Sequence, residues 1–147
     1  MTLIKYLKVY TKFLQTALDS ELEYKTNILI DLITAILSLI GSIFLLSIFF
    51  QNKGYVGGWK FEQALIIQSI YTILNGITNT WFNPNLTEIV KHIREGTLDF
   101  VLLKPIDSQF FISLKKLNPS GFLEIILGFF LLFFCIRTVS YTHLRAH

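Results

Sequence analysis

The residues best suited to chemistry are crowded into one stretch, Asn83 to Lys116. It carries five of the thirteen Lys and Arg residues and four of the ten Asp and Glu residues. Glu88, Lys91, His92 and Glu95 fall on one side of a helical pattern over Leu86–Glu95, with Ile89, Val90 and Ile93 on the other. Asn83-Pro84-Asn85 is expected to end the apolar run before it. Gly96 is expected to stop the helix, as glycine past a helix end commonly does. Leu98 and Asp99 follow, and then Leu102-Leu103-Lys104-Pro105. This chemistry is charge recognition, not bond making. A short amphipathic helix joined to a stiff, proline-ended segment suits the transmission of force between a membrane domain and a soluble partner. Glu88, Lys91 and His92 are the candidates for touching that partner. Arg94 and Asp99 are candidates for pairing across Gly96, with headgroup binding the alternative role for Arg94.

Catalytic and metal-binding patterns are missing. There is no G-x-x-x-x-G-K-[ST] phosphate loop, so this chain is not expected to bind and hydrolyse ATP itself. No H-E-x-x-H or C-x-x-C occurs either. His92 is the only histidine before residue 139 and has no second His or Cys nearby, so it is expected to be a surface residue and not a ligand. No catalytic, cofactor-binding or metal site is expected. Cys135 is the sole cysteine, which excludes an intramolecular disulfide and suits packing as a small hydrophobe. The formal charge of +3 does not point to nucleic acid, because the basic residues flank apolar segments as they do in membrane proteins.

The elements that hold these residues are greasy. The 147 residues are 52% hydrophobic and 16% charged, against about 25% charged in soluble domains. The fold class expected is all-α: a polytopic transmembrane helical protein, with one membrane domain over residues 1–138. Thr2–Asp19 reads as an amphipathic helix, with Leu3, Tyr6, Leu7, Tyr10, Phe13, Leu14 and Ala17 opposite Lys5, Lys8 and Lys12. Such a helix lies in the headgroup plane. Spans are expected at about 27–50, 64–82 and 121–137. The first contains sixteen Leu, Ile and Phe residues. At roughly 0.3–0.6 kcal/mol each, these outweigh the cost of Asp31, at most about 3 kcal/mol. Asp31, Thr34, Ser38 and Gly41/Ser42 share a face of it, and Ser38 with Ser42 permits close helix packing. Gln68, Thr72, Asn75 and Asn79 make a polar stripe along the second span. Amides in hydrocarbon need partners, so the stripe faces another helix or a wet path. Gln51–Lys60 reads as a loop, and Asp107 as the N-cap of a helix over Ser108–Lys116 whose Phe110, Phe111, Ile112 and Leu114 lie on the membrane. Glu124 is expected to pair with Lys115 or Lys116.

Charge sets the orientation. Lys5, Lys8, Lys12 and Lys25 precede the first span, Lys53 and Lys60 follow it, and Lys91, Arg94, Lys104, Lys115 and Lys116 follow the second. The two richer segments belong in the cytoplasm, so the chain is expected to be a multi-pass cell-membrane protein with its N-terminus inside. Residues 139–147, VSYTHLRAH, look like the translation of a sequencing adapter and are set aside from fold reasoning. Without Arg145 the charge is 12 − 10 = +2. On that reading the natural protein continues past Arg137 and the chain is an N-terminal portion.

Ile93-Arg94-Glu95-Gly96-Thr97-Leu98-Asp99 followed by Leu102-Leu103-Lys104-Pro105 resembles the signature of the ABC type-2 permeases. Gly58-Trp59 with Glu62 resembles a second segment of that family. Together with the hydropathy order the resemblance covers Met1 to about Arg137. It implies a membrane subunit of an ATP-driven transporter, more often an exporter. It also implies a separate ABC-type ATPase subunit, a second permease subunit (identical or related) and an interfacial elbow helix at the N-terminus. A coupling helix would lie in the loop after the second span. The coupling residues would then be Glu88, Lys91, His92, Arg94, Glu95, Gly96, Leu98, Asp99 and Pro105. The rival expectation is a membrane scaffold that does not transport and recruits a cytosolic protein through residues 83–116.

Overall fold

A computed structural model describes residues 2–23, 25–51 and 55–144. Lys53 and Arg145, used above in the charge pattern, lie outside the described residues. The chain is mostly helical and divides into two compact units. One takes Met1–Leu29 with Ile77–Phe122, the other Ile30–Gly76 with Leu123–His147.

The long helices follow hydropathy. Helix α1 spans Thr2–Glu23 and α2 spans Lys25–Gln51. Helix α7 spans Gly121–Leu144, which takes in the first six residues of the suspected tail. Two stretches are long and apolar enough to cross a membrane, Thr26–Gln51 and Gly121–Thr138. Along α2, Leu29, Ile33, Leu37, Ile40, Phe44 and Phe49 are all exposed, a continuous apolar surface that water does not tolerate and lipid does. Helix α3, Phe61–Ile77, is shorter at 17 residues. The segment expected at 64–82 is therefore α-helical to Ile77 and then a π-helix over Thr78–Phe82.

Between α2 and α3 the sequence reading expected a loop over Gln51–Lys60. The described part is a hairpin instead. Strand β1, Tyr55–Val56, pairs antiparallel with β2, Trp59–Lys60. Gly57 and Gly58 turn it with φ of 57° and 85°. Two consecutive positive φ values are what a type I′ turn needs, and glycine supplies them without steric cost. Lys60 N–H then donates to Gln63 Oε1 at 2.9 Å, closing the entry to α3.

Asn83-Pro84-Asn85 does not end the helix. The π-helix runs straight into α4, Asn83–Arg94, with proline in its first turn. Proline fits there because its φ is already helical, but it brings no N–H. Pro84 therefore donates nothing to Thr80 C=O, four residues back. Asn118 N–H donates to it at 3.0 Å. The proline thus converts a helix position into an acceptor for another segment.

Short elements complete this unit: α5, Leu98–Leu102, and α6, Ser108–Leu114. Asp107 caps α6 as its type suggested, accepting from Phe110 N–H at 2.8 Å. The apolar side of α6 faces protein, contrary to the expectation of a membrane surface. Tyr6 of α1 meets Phe110 edge-on at 4.8 Å, and Phe13 meets Phe111 at 5.8 Å. Trp81 Nε1 donates to Tyr10 Oη at 3.1 Å, and the Trp81 ring meets Phe122 at 5.4 Å. The aromatic face of α1 is therefore seated on protein, and its lysine face is left outward.

In the other unit α3 and α7 approach closely at Gly128. A Cβ there would lie 2.6 Å from Ile73 Cγ1 and 2.9 Å from Ile73 N. Backbone cannot yield as a flexible side-chain tip can, so the position has room only for glycine. Close approach at small residues is how helices pack when lipid surrounds them.

Candidate coupling surface

Helix α4 is anchored before it is charged. Asn85, 4% exposed, donates from Nδ2 to Trp81 C=O and to Lys116 C=O, each at 2.7 Å. Its Oδ1 accepts from Lys116 N–H at 2.9 Å. One buried amide thus ties the first turn of α4 to the chain leaving α6.

Glu88 adds the second tie. Its carboxylate takes Lys115 Nζ at 3.1 Å and Lys116 Nζ at 2.9 Å. The Lys116 hydrogen bond is the main cause that holds the Glu88 carboxyl at about 2 in place of 4.5; Lys115 adds to it, and partial burial opposes. A carboxyl whose folded pKa is depressed contributes stability above its unfolded value, and that stability is lost as pH falls through the folded one. The stability gap between the native chain and Glu88→Gln should therefore be full above pH 4.5 and closed near pH 2. Its size should be about 1–3 kcal/mol, the upper end being the unscreened conversion of the shift. Thermal unfolding of both chains across that range checks it; a gap independent of pH would refute the pairing.

The faces of α4 are the reverse of the sequence reading in one important respect. Glu88 and His92 turn inward with Ile89, lining a narrow space beside Val101, Phe111 and Ile112. His92 Nδ1 lies 2.8 Å from Thr97 Oγ1, and its buried Nε2 is 3.6 Å from Glu88 Oε1. Outward lies an apolar stripe: Leu86 at 58% exposed, Val90 at 48% and Ile93 at 60%. These stand at i, i+4 and i+7, one face of a helix. Lys91, Arg94 and Glu95 are exposed beside it. Glu88 was read as outward because it is charged; its lysine partners lie 27 and 28 residues on, where helical periodicity cannot see them.

Past α4 the chain turns as expected at Gly96, whose φ is +64°. The turn is held by Thr97 N–H donating to His92 C=O at 3.0 Å and Gly96 N–H to Ile93 C=O at 3.3 Å. Arg94 and Asp99 were expected to pair across it. Both are exposed, and among the described residues the ion pairs converge on Glu88 instead. Water competes well for exposed pairs, and the backbone bonds leave them no task. Helix α5 is pinned by buried Val101, with Leu98 half-buried. Pro105 C=O accepts from Lys5 Nζ at 3.5 Å.

The polar residues of the apolar helices are only partly gathered. Ser38, Ser42, Gln68, Thr72 and Asn75 line one cleft of about 60 Å³ with Glu124. Asn75 Nδ2 donates to Glu124 Oε2 at 3.0 Å, so Glu124 has an amide partner while Lys115 and Lys116 take Glu88. Asp31 is not among the lining residues. Asn79 belongs to the other unit, where its Oδ1 accepts from Asn83 Nδ2 at 2.7 Å. No group of three or more His, Cys, Asp or Glu that could hold a metal occurs among the described residues.

The family model of the ABC-2 family transporter proteins matches residues 36–144, well over half of the chain. Neither the search of curated proteins nor that of solved structures returned a match.

Proposed function

This chain belongs to the ABC-2 transporter family, and we propose that its outward stripe Leu86-Val90-Ile93 is where a partner ATPase grips it. The family makes the chain a membrane permease of an ABC transporter. The finer reading is that motion of a separate ATPase subunit enters through α4 and passes on through Gly96–Pro105. One observation carries it: an apolar stripe of three large side chains stands exposed on a helix braced from behind by Asn85 and Glu88. Exposed apolar stripes at i, i+4 and i+7 are how helices enter partner grooves. Lys91, Arg94 and Glu95 flank the stripe and suit a polar rim. A braced helix moves as a body, so force applied to the stripe is not absorbed locally.

The test is co-purification of an ATPase and its turnover. Gly96→Pro should leave the stripe intact yet change ATP turnover in the complex severalfold, because proline cannot take the φ of +64° found there. An ATPase that binds and turns over as before would exclude Gly96 from the coupling route, and no ATPase at all would favour a scaffold.

Lysine distribution supports an N-terminus and α4 in the cytoplasm and the hairpin outside. A reporter fused at Tyr55 should read outside and one at Thr97 inside; the opposite readings would overturn the orientation. A second permease subunit, identical or related, would complete the transporter. The export direction rests on the family prior alone.

A further inference from the structure

In the first unit, a cleft of about 600 Å³ opens between the C-terminal half of α1 and the segment from Lys104 to Pro119. Its floor is apolar, formed by Phe13, Ala17, Phe111, Leu117 and Pro119. Its charge is not balanced. Lys104, Lys115 and Lys116 all line it, and among the described residues the one carboxylate they meet is Glu88, which takes the last two. Among the described residues Lys104 Nζ meets no carboxylate, and it rests 4.0 Å over the Phe111 ring; Lys115 Nζ lies 5.5 Å from the same ring. Three ammonium groups against one carboxylate leave an excess of two positive charges over an apolar floor. Thr16 and Ser20 also line it.

The depth of this cleft follows from the chain. Ser20 lies six residues before the first apolar stretch, at Thr26, and Pro119 lies two before the second, at Gly121. Residues that line the cleft thus stand, along the chain, within a few residues of both apolar stretches, where a chain entering hydrocarbon passes the headgroups. We infer that it holds the headgroup of an anionic phospholipid, its phosphate among Lys104, Lys115 and Lys116 and its glycerol and first methylenes along Phe13 and Leu117. Charge excess selects the headgroup, and the apolar floor selects a lipid over a free anion. The inference rests on residence in a bilayer, not on ATPase contact, so the two can fail separately.

The experiment is native mass spectrometry of the full chain in detergent, with phosphatidylglycerol or phosphatidylcholine added at equal concentration. Phosphatidylglycerol should be retained at least about fivefold better, the effect of roughly one interfacial lysine. Lys104→Glu, which leaves both Glu88 ion pairs in place, should lower that retention by at least about fivefold. Lys104→Arg should keep it, and the same reversal elsewhere, Lys60→Glu, should not matter. Equal retention of the two lipids, or full retention by Lys104→Glu, would overturn the site. Glycerol phosphate binding as well as the lipid would replace it with a free-anion site.

Discussion

Replacing Leu86, Val90 and Ile93 together with serine should strip the ATPase from the transporter while leaving the chain folded. All three side chains are about half exposed or more, so unfolding should shift by no more than about 0.5 kcal/mol per site. Anchoring side chains at a partner interface are worth about 1–2 kcal/mol or more each. Three lost together should weaken the complex by about 3–6 kcal/mol, or roughly a hundredfold to ten-thousandfold. The measurement is the ATPase retained on an affinity-purified permease, read beside the thermal unfolding of the same preparation. Retention unchanged by the triple substitution would remove the stripe from the interface. The same triple made at Lys91, Arg94 and Glu95 should cost far less, since rim charges chiefly tune the rate of encounter.

Asn85→Ala should do the opposite, damaging the fold before it damages any contact. Its amide serves two carbonyls and one N–H, at 2.7, 2.7 and 2.9 Å, in a site 4% exposed. Truncation leaves those backbone groups buried without that partner, at about 1–3 kcal/mol for each that water cannot reach. A loss of about 3 kcal/mol or more is expected, read as a fall in unfolding temperature in detergent. Asn85→Leu, which fills the space without the bonds, should not restore it. A change within 0.5 kcal/mol, the range of ordinary surface sites, would mean that α4 is held by Glu88 alone.

The two substitutions mark what the sequence could and could not disclose. Hydropathy gave α1, α2 and α7 because each is long enough for periodicity or run length to speak. Gly96 and Asp107 were legible because a positive φ and an N-cap are local demands that residue type answers. Gly57-Gly58 carried an equally local signal for a two-residue hairpin, which was passed over for a plain loop. Pro84 misled, since proline usually closes a helix. Here the π-helix of Thr78–Phe82 delivers the chain to it already helical, and Asn118 and Asn85 serve the carbonyls around it.

Which way α4 faces was hidden for a deeper reason. Its pattern offers two faces, and convention buries the apolar one. The choice is made by Lys115 and Lys116, which neutralise Glu88 from another element, and by Asn85, two of whose three bonds reach Lys116, 31 residues away. Such long-range pairings leave no mark on local periodicity. Most of the polar stripe was legible as a set, since Gln68, Thr72 and Asn75 line one cleft with Glu124. That Glu124 accepts from Asn75 was not, for the same long-range reason.

The most direct test of the coupling surface is a photo-crosslinker placed at Val90 in membranes, with one at Phe111 as its buried counterpart. A crosslink from Val90, and not from Phe111, to a subunit bearing a phosphate-binding loop is the result predicted. Crosslinks from Val90 to lipid alone, with the ATPase still bound to the complex, would contradict it.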